Sequence, residues 1–314
     1  MNAQCRLVVI LGPTASGKSA LAIALAERLN AEVVACDSTQ VYRHFDIGTG
    51  KVPVAERRGI THHMIDLVEP DEVFTAGEYR RRATEVLEEI CARGKLPILT
   101  AGTGLYLRAL LEGLAEAPAR SEELRERLRQ RAARRGPEQL HKILKRLDKE
   151  SASRIAAGDT QKAIRAIEIR LLSGEPASAL HRRGRTGLEG FQVLRIGLMP
   201  AREALYQRIE QRVTAMLDSG WLDEVKTLLD KGIDPTSKPF EFLGYSQLRD
   251  ALGGKMAFDE AFRQIQQATR QYAKRQVTWF RKEPDVRWIE RFGDDPAAAA
   301  DAFRLIEAVK RRNN

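Results

Sequence analysis

Short apolar runs alternate with amphipathic stretches through the first hundred residues of the chain. Residues 6–11 form an apolar, β-branched run that is typical of a central parallel strand. Leucine then recurs at every fourth position from Leu21 to Leu29, which predicts a helix. Further buried strands are predicted at 32–36 and 96–100. This alternation of strands and helices predicts an α/β fold built on a doubly wound parallel sheet.

From about residue 119 the pattern changes to one helix after another. Ser121 is predicted to cap the first of these helices, and another helix is predicted over 160–172. Its apolar side carries Ala163, Ile164, Ile167 and Leu171, and another face carries Gln161, Arg165 and Glu168. We therefore predict three parts: residues 1–118 as the first part of the core, 119–187 as a helical insertion, and 188–314 as the core completion and C-terminal helices.

The last third of the chain resumes with a strand at 191–198 and is then mostly helical. A helix predicted over 202–217 carries Arg212 beside its apolar stripe, where an arginine usually has an anionic partner. Residues 270–281 are both basic and aromatic. That mixture fits a nucleic-acid surface, and it fits equally well an amphipathic helix that packs its aromatic residues inward.

Residues 12–19 read GPTASGKS and match the phosphate-loop pattern G-x-x-x-x-G-K-[ST] at each fixed position. The two glycines allow backbone N–H groups to point into one concavity at the start of a helix. Lys18 supplies a cation for terminal phosphates, and the Ser19 hydroxyl suits a Mg²⁺ ion that such phosphates carry. Because this loop follows a predicted strand and opens a predicted helix, the fold is expected to be P-loop NTPase-like.

Two further strand ends carry polar residues. Asp37 follows the second strand, and ligands of doubly wound sheets lie at the carboxyl ends of strands. Asp37 could organise a metal, act as a general base or cap the next turn, and the pattern leaves these three open. Thr103 could present a hydroxyl above the phosphate loop, although a simple glycine turn explains the same stretch. His62 and His63 are adjacent, so in a strand they would point to opposite faces and could not share a metal.

Charge is unevenly distributed along the 314-residue chain. The net charge is +9 overall, and residues 116–190 carry +7. A basic insertion in a near-neutral core suggests a polyanionic partner larger than a nucleotide, the alternative being an arginine-rich solvated surface. No apolar run approaches ~20 residues and no secretory signal is present, which predicts a cytoplasmic protein without a membrane span. Cys5, Cys36 and Cys91 lack C-x-x-C spacing and are expected to be reduced packing residues.

Six motifs together resemble those of bacterial tRNA dimethylallyltransferases, and the resemblance covers nearly the whole chain. They are GPTASGKS at 12–19, DSTQVY at 37–42, DIGTGK at 46–51, HHMID at 62–66, GTGLY at 102–106 and the run 270–281. The resemblance implies transfer of a dimethylallyl group from its diphosphate to the N6 amine of the adenosine 3′ of the anticodon. The expected partners are dimethylallyl diphosphate and the tRNA anticodon loop, the expected cofactor is Mg²⁺, and a monomer is expected.

The resemblance also implies roles for individual residues. Asp37 would be the general base at the amine, Thr103 would flank the reaction centre, and Arg212 would bind the diphosphate. The diphosphate would lie in the loop formed by Gly12, Pro13, Thr14, Ala15, Ser16, Gly17, Lys18 and Ser19. Contacts to tRNA would come from Asp37, Ser38, Thr39, Gln40, Thr103, Arg125, Gln161, Lys162, Ala163, Ile164 and Arg165.

The chain departs from the family pattern at two places. Ala101 stands where many relatives have a second glycine, so the turn before Thr103 is expected to differ slightly. Glu241 and Ser246 lie where relatives often carry arginine or lysine, so no tRNA contact is assigned to 242–247.

Three other functions are compatible with a phosphate loop. A small-molecule P-loop kinase would share the loop and the fold class, and an adenylate-type isopentenyltransferase would share the loop and Asp37. Neither explains the basic insertion. An NTP-gated RNA-binding module would turn over ATP, and the lack of an acidic residue at the strand end after Thr100 argues against it.

Overall fold

Six parallel strands form one sheet in the computed structural model, which describes residues 5–311. The strands are β1 (Cys5–Leu11), β2 (Ala31–Cys36), β3 (His62–His63), β4 (Leu96–Ala101), β5 (Phe191–Leu198) and β6 (Val286–Ile289). Their order across the sheet is β3-β2-β4-β1-β5-β6, and each neighbouring pair is parallel. The prediction of an α/β fold with a parallel sheet is confirmed.

α-Helices lie between and after these strands, and some of them cover the two faces of the sheet. They are α1 (Lys18–Leu29), α2 (Ala76–Ala92), α3 (Gly104–Glu112), α4 (Glu122–Arg135), α5 (Pro137–Leu147), α6 (Lys149–Arg154), α7 (Thr160–Ser173), α8 (Ala177–Arg182), α9 (Arg202–Asp218), α10 (Trp221–Asp230), α11 (Tyr245–Leu252), α12 (Phe258–Phe280) and α13 (Pro296–Arg311). One face is covered by α2, α3 and α12, through residues such as Tyr79, Tyr106 and Phe280. The other is covered by α1 and α13, through residues such as Leu21 and Ala298. Within residues 5–311, no helix combines the length and apolar character that a membrane span requires.

Internal contacts divide the chain into two compact units. The core unit comprises the chain up to Leu111 and from Leu188 onward, and the insertion unit comprises Glu112–Gly187. The core unit holds the whole sheet. The insertion unit consists of α4 to α8, which pack around their own apolar cluster, including Leu128 and Leu140. Each unit therefore has a hydrophobic core of its own.

The amphipathic pattern of α7 differs from its prediction at two residues. Ala163, Ile164 and Ile167 are buried as expected. Leu171 was expected on the apolar side but is 55% exposed, and Glu168 was expected on a polar face but is fully buried. The prediction was wrong for these two because the cluster does not extend to the last turn of α7, and because arginines neutralise Glu168 inside the unit.

The cysteine prediction was wrong for two of the three residues. Cys5, at the start of β1, and Cys91, near the end of α2, form a disulfide that links positions 86 residues apart. Cys36 is a free, buried cysteine, and burial raises its pKa to about 12. Sequence spacing did not indicate the bond because packing of α2 on the sheet, and not a local motif, brings the two thiols together.

Candidate active site

The carboxyl ends of three neighbouring strands bring the predicted core-unit residues together. Leu11 of β1 pairs with Ala101 of β4, and Ala101 pairs with Cys36 of β2. The segments that follow, namely the phosphate loop (residues 12–19), Asp37 and Gly102, therefore begin side by side at one edge of the sheet. The N–H of Gly102 donates to the Cys36 carbonyl at 3.1 Å, which fixes two of these turns against each other.

The phosphate loop requires glycine at two positions for steric reasons. A Cβ atom at Gly12 would lie 2.9 Å from the carbonyl oxygen of Leu198. Gly17 immediately precedes α1 with a φ of 88°, and a Cβ atom there would lie 2.6 Å from the backbone nitrogen of Gly293. The loop is consequently packed against neighbouring backbone, so its N–H groups are held at the positive end of α1.

Lys18 places its ammonium group across the phosphate loop. The Nζ atom donates to the carbonyl oxygens of Gly12 and Pro13, each at 2.9 Å. Burial is the main cause that lowers the pKa of Lys18 to about 8; the Asp37 carboxylate opposes this shift and the charge of Arg212 adds to it. The loop lysine, the candidate base and the candidate diphosphate arginine thus interact electrostatically in one place.

Asp37 is held by its own turn through one carboxylate oxygen. Oδ1 accepts hydrogen bonds from the N–H of Thr39 at 2.9 Å and from its hydroxyl at 2.7 Å. Oδ2 lies against the backbone of Gly102, where a Cβ atom would come within 2.8 Å. Thr103 accepts a hydrogen bond from the N–H of Ser38 at 3.0 Å. Asp37 therefore stabilises its own turn through Oδ1, and this leaves Oδ2 available to take part in a reaction.

Arg212 projects from α9 over the loop 46–51. Its Nη2 atom lies where a side chain at Gly50 would be, 2.1 Å from a Cβ built there. Gln40 donates to the carbonyl oxygens of Thr49 and Gly50, each at 3.2 Å, and so holds this loop under the arginine. The surrounding protein and the charge of Arg208 lower the pKa of Arg212, whereas Asp37 raises it. Arg212 and Ser19 line the same 1460 Å³ cavity of the core unit.

The loop 46–51 is anchored by residues that the sequence motifs did not reveal. Glu224 accepts hydrogen bonds from the N–H of Asp46 at 3.1 Å and from the hydroxyl of Tyr245 at 2.6 Å. The N–H of Gly48 donates to Tyr245, and a Cβ atom at Gly48 would lie 2.2 Å from the indole of Trp221. The glycines of this motif are the only signal in the sequence for such close packing, and they do not identify the partners.

The basic and aromatic run 270–281 packs its aromatic residues inward. Phe280 is fully buried in the core, and the indole of Trp279 lies on Gly104, where a Cβ atom would come within 2.2 Å. The guanidinium of Arg108 stacks 4.7 Å from the centre of the Trp279 ring. The same helix contributes Gln276, which contacts the phosphate loop and was not predicted. The sequence left open whether this run forms a nucleic-acid surface or an amphipathic helix. The packing of Trp279 and Phe280 agrees with the amphipathic helix.

Both arginines expected to contact tRNA are engaged inside the insertion unit. Arg125 donates from Nε and Nη2 to the two carboxylate oxygens of Glu168, both at 2.8 Å. Arg165 donates to the same carboxylate at 2.6 Å. Burial opposes ionisation of Glu168, but hydrogen bonds from the two arginines lower its pKa to about 2. Their guanidinium groups therefore stabilise the insertion, because without Glu168 or without either arginine a buried charge would be left under-compensated.

The other predicted tRNA contacts on α7 differ in exposure. Ala163 and Ile164 are 1% and 5% exposed, so their side chains belong to the core of the unit and offer no surface to a partner. Gln161 and Lys162 are exposed in the first turn of the same helix. Lys162 bonds only to Asp159 among the described residues, at 2.5 Å. The exposed part of the predicted contact region is therefore the first turn of α7.

The site residues fit a diphosphate better than a fully protein-ligated metal. Within residues 5–311 there is no group of three or more His, Cys, Asp or Glu side chains that could hold a metal ion. The buried hydroxyl of Ser16 has no hydrogen-bond partner in that range, and Ser19 lines the cavity. Hard cations such as Mg²⁺ accept one protein hydroxyl together with phosphate and water oxygens. Ser19 can thus supply one ligand to an ion that arrives with a diphosphate.

Comparison with known proteins agrees with this arrangement. A sequence model of the family described as "IPP transferase" matches residues 40–283. The chain is 52% identical over 300 residues to a tRNA dimethylallyltransferase of Solibacter usitatus, covering 96% of this chain and 97% of that protein. A second tRNA dimethylallyltransferase, from Koribacter versatilis, is 52% identical over 301 residues, with 96% and 98% covered. The chain belongs to the tRNA dimethylallyltransferase family.

Solved structures of this family have the same fold. The full-length tRNA isopentenylpyrophosphate transferase of Bacillus halodurans superposes with a TM-score of 0.71 at 36% identity, over 98% of this chain and 99% of that one. A eukaryotic dimethylallyltransferase described as acting on tRNA gives a TM-score of 0.79 at 28% identity, over 93% and 75%. The predicted P-loop-like fold and the resemblance to these prenyltransferases are both confirmed. The family model begins at Gln40, and the similarity to the Bacillus halodurans structure extends beyond it, over 98% of this chain.

Proposed function

We propose that this family member transfers a dimethylallyl group from dimethylallyl diphosphate to the N6 amine of the adenosine 3′ of the anticodon in tRNA. One observation carries the proposal: the phosphate loop and the turn of Asp37 follow strand ends at the same edge of the sheet, and Arg212 lines the same cavity as Ser19. A diphosphate-binding loop, a free carboxylate oxygen and a second cation are the groups that such a transfer requires. The relatives are named for this activity.

The reaction follows from the chemistry of these groups. The N6 nitrogen attacks C1 of the dimethylallyl group, the C1–O bond to the diphosphate breaks, and the amine proton passes to Oδ2 of Asp37. Negative charge grows on the departing diphosphate, where loop N–H groups, Lys18 and Arg212 stabilise it. Mg²⁺ bound to the diphosphate and Ser19 would neutralise part of that charge. Thr103 holds the Ser38 backbone and thereby the turn that carries Asp37.

The tRNA would be bound partly by the insertion unit. Net charge in residues 116–190 is +7, and base chemistry of this kind requires the target base to leave its stack. We assign phosphate or base contacts to Gln161 and Lys162, and we assign Ser38, Thr39 and Gln40 to the surroundings of the adenosine. Arg125 and Arg165 contribute chiefly by supporting α7 from within.

Substitution of Lys162 by glutamine should weaken tRNA binding at low salt and lower its salt dependence. One lost phosphate contact reduces the slope of log affinity against log salt by about one. Fluorescence anisotropy of labelled tRNA over a salt series measures that slope. Lys255→Gln is a matched control, because Lys255 is 71% exposed and faces Asp250, whereas Lys162 is 72% exposed and faces Asp159. Equal slopes for the two variants would exclude Lys162 from the tRNA contacts.

A small-molecule kinase is the main alternative function. A kinase or NTPase of this fold class places a second acidic residue near the bound phosphates. Strand β4 instead ends at Ala101 and is followed by Gly102 and Thr103. An adenylate-type isopentenyltransferase is compatible with the loop and Asp37 alone, but the basic insertion has no function in it.

The decisive assay supplies dimethylallyl diphosphate and tRNA with Mg²⁺ and no nucleotide. We expect one diphosphate to be released for each C₅H₈ addition to tRNA, and mass spectrometry of digested tRNA should locate the addition on the adenosine 3′ of the anticodon. Replacing tRNA with AMP tests the adenylate-type alternative. A requirement for ATP, with orthophosphate released in place of diphosphate, would refute the transferase and support a kinase or NTPase.

A further inference from the structure

One buried amide bridges the two loops that would hold the donor and the acceptor. Gln276, on α12, accepts a hydrogen bond at Oε1 from the N–H of Thr14 in the phosphate loop, at 2.7 Å. Its Nε2 atom donates to the carbonyl oxygen of Gly102, also at 2.7 Å. The side chain is buried, with 6% of its surface exposed. We propose that Gln276 is a positioning residue that sets the spacing between the bound diphosphate donor and Asp37, a role that rests on the proposed transferase function.

The polarity of the bridge leaves one orientation for the amide. A backbone N–H can only donate and a backbone carbonyl can only accept, so Oε1 must face Thr14 and Nε2 must face Gly102. A Cβ atom at Gly102 would lie 2.8 Å from Oδ2 of Asp37, so the turn that accepts the Gln276 hydrogen bond runs beside the candidate base. Through Nε2 the amide of Gln276 binds Gly102, which lies next to the candidate base, and through Oε1 it binds Thr14 in the phosphate loop. Changing either hydrogen bond changes the relative position of the two.

The helix that carries Gln276 is itself fixed to the same region. Ala273 lies one turn before Gln276 on α12 and Phe280 lies one turn after it, and both are fully buried. The hydroxyl of Tyr272 lies 3.4 Å from the carbonyl oxygen of Gly102, and Trp279 packs on Gly104. Because α12 is anchored to the turn 102–104 on both sides of Gln276, the amide stays fixed to that turn and holds Thr14 at a set distance from it. It therefore acts as a spacer of constant length.

This spacing matters for the rate more than for binding. A displacement of about 1 Å between reacting groups can lower a rate by about 10²-fold, even when each substrate still binds. Thr14 gives its N–H to Gln276, so the phosphate contacts come from the remainder of the loop and should survive the loss of the bridge. The signature of a positioning role is a lower chemical rate with little change in the affinity for either substrate.

Two substitutions separate positioning from a general effect on folding. Gln276→Met keeps the approximate volume and removes both hydrogen bonds. Gln276→Glu keeps an acceptor for Thr14, but its ionised form cannot donate to Gly102. The protonated form restores both bonds, because it carries one acceptor oxygen and one O–H donor. Burial, the Gly102 carbonyl and the Asp37 carboxylate all disfavour ionisation of the introduced carboxyl group, so its pKa should be raised above the ordinary value.

The experiment measures single-turnover rate constants at saturating dimethylallyl diphosphate and tRNA, from about pH 8.5 to about pH 5.5. We expect Gln276→Met to be slower by about 10- to 100-fold at every pH. Gln276→Glu should be similarly slow at high pH and recover toward the wild-type rate as the pH falls. The titratable and charged groups near Gln276 include Tyr272, Lys274 and Arg275 on α12 itself, together with Asp37 and Lys18 on the loops that it bridges. All of these are present in wild type and in both variants, so the comparison is made as the ratio of each variant to wild type at the same pH.

The control variant and the results that would overturn the role of Gln276 differ from those that test the transferase function. Gln267→Glu makes the same change at an exposed site on the same helix and should match wild type throughout. A merely structural role would lower the reaction amplitude and the melting temperature but leave the rate constant of the active fraction unchanged, and that result would overturn the proposal. So would a Gln276→Glu deficit that does not shrink with falling pH. If the wild-type protein itself transfers no dimethylallyl group, the proposed function fails before Gln276 is tested.

Discussion

Substitution of Asp37 by asparagine should lower the single-turnover rate of transfer by about 10²–10⁴-fold, the contribution of a general base. Asparagine keeps an Oδ1 atom for the two hydrogen bonds from Thr39 and places an amide nitrogen where Oδ2 faces Gly102. The turn is therefore preserved while the proton acceptor is lost. Rapid-quench measurements at saturating donor and tRNA would give the rate constant, and titrations would show whether both substrates still bind.

A matched control distinguishes loss of the base from a general loss of negative charge. Asp71→Asn makes the same change at an exposed position of the core unit and should leave the rate unaffected. A loss below about tenfold for Asp37→Asn would mean that Asp37 only organises its turn, as its hydrogen bonds to Thr39 already allow. A large loss accompanied by weaker donor binding would instead favour a role in metal or diphosphate binding.

The parts of the site that follow strands were predictable from the sequence. The phosphate loop follows β1, Asp37 follows β2 and Thr103 follows β4. The carboxyl ends of parallel strands lie at one edge of the sheet. Recognising the short apolar runs as strands was therefore enough to predict that these residues lie close together. The sequence did not distinguish the possible roles of Asp37, because that choice depends on which oxygen is engaged in the turn.

Contacts made by distant side chains were not predictable in the same way. Gln276 reaches Thr14 across 262 positions of the chain, and nothing in the composition of α12 distinguishes it from Gln267. The hydrogen bonds of Glu224 and Tyr245 to the loop 46–51 are equally non-local. Sequence periodicity identifies a buried face, but it does not identify which polar residue on that face finds a partner.

The charge pattern of the insertion unit did not reveal which of its arginines are engaged inside the unit. An excess of arginine suggested a surface for a polyanion, yet Arg125 and Arg165 are paired with the buried Glu168. A charge pattern treats each arginine as solvated, and only the fold shows which carboxylate lies within hydrogen-bonding distance. A test of tRNA binding that reverses Arg125 or Arg165 would place like charges around Glu168 and unfold the unit, which is why Lys162 is the better choice.

Substitution of Lys18 by methionine should lower donor affinity and the chemical step together. The Nζ atom lies across the loop that would hold the diphosphate, so it stabilises that group both when the donor binds and as charge develops on it. Removal of one such donor costs about 10²–10³-fold in rate. Methionine retains most of the length of the side chain without its charge, and Lys231→Met at an exposed position of the core unit serves as the control. Donor affinity from titration and single-turnover rates would measure the two effects separately.

The pH dependence of donor binding gives an independent check on Lys18. Its pKa is lowered to about 8 mainly by burial, so the ammonium form is lost as the pH rises through that value. Because only the charged form attracts a diphosphate, the affinity of the wild-type protein should fall above about pH 8, and bound donor should shift the transition to higher pH. In Lys18→Met this step should be missing. If wild type and variant lose affinity in parallel as the pH rises, another group controls donor binding, and Lys18 does not hold the diphosphate.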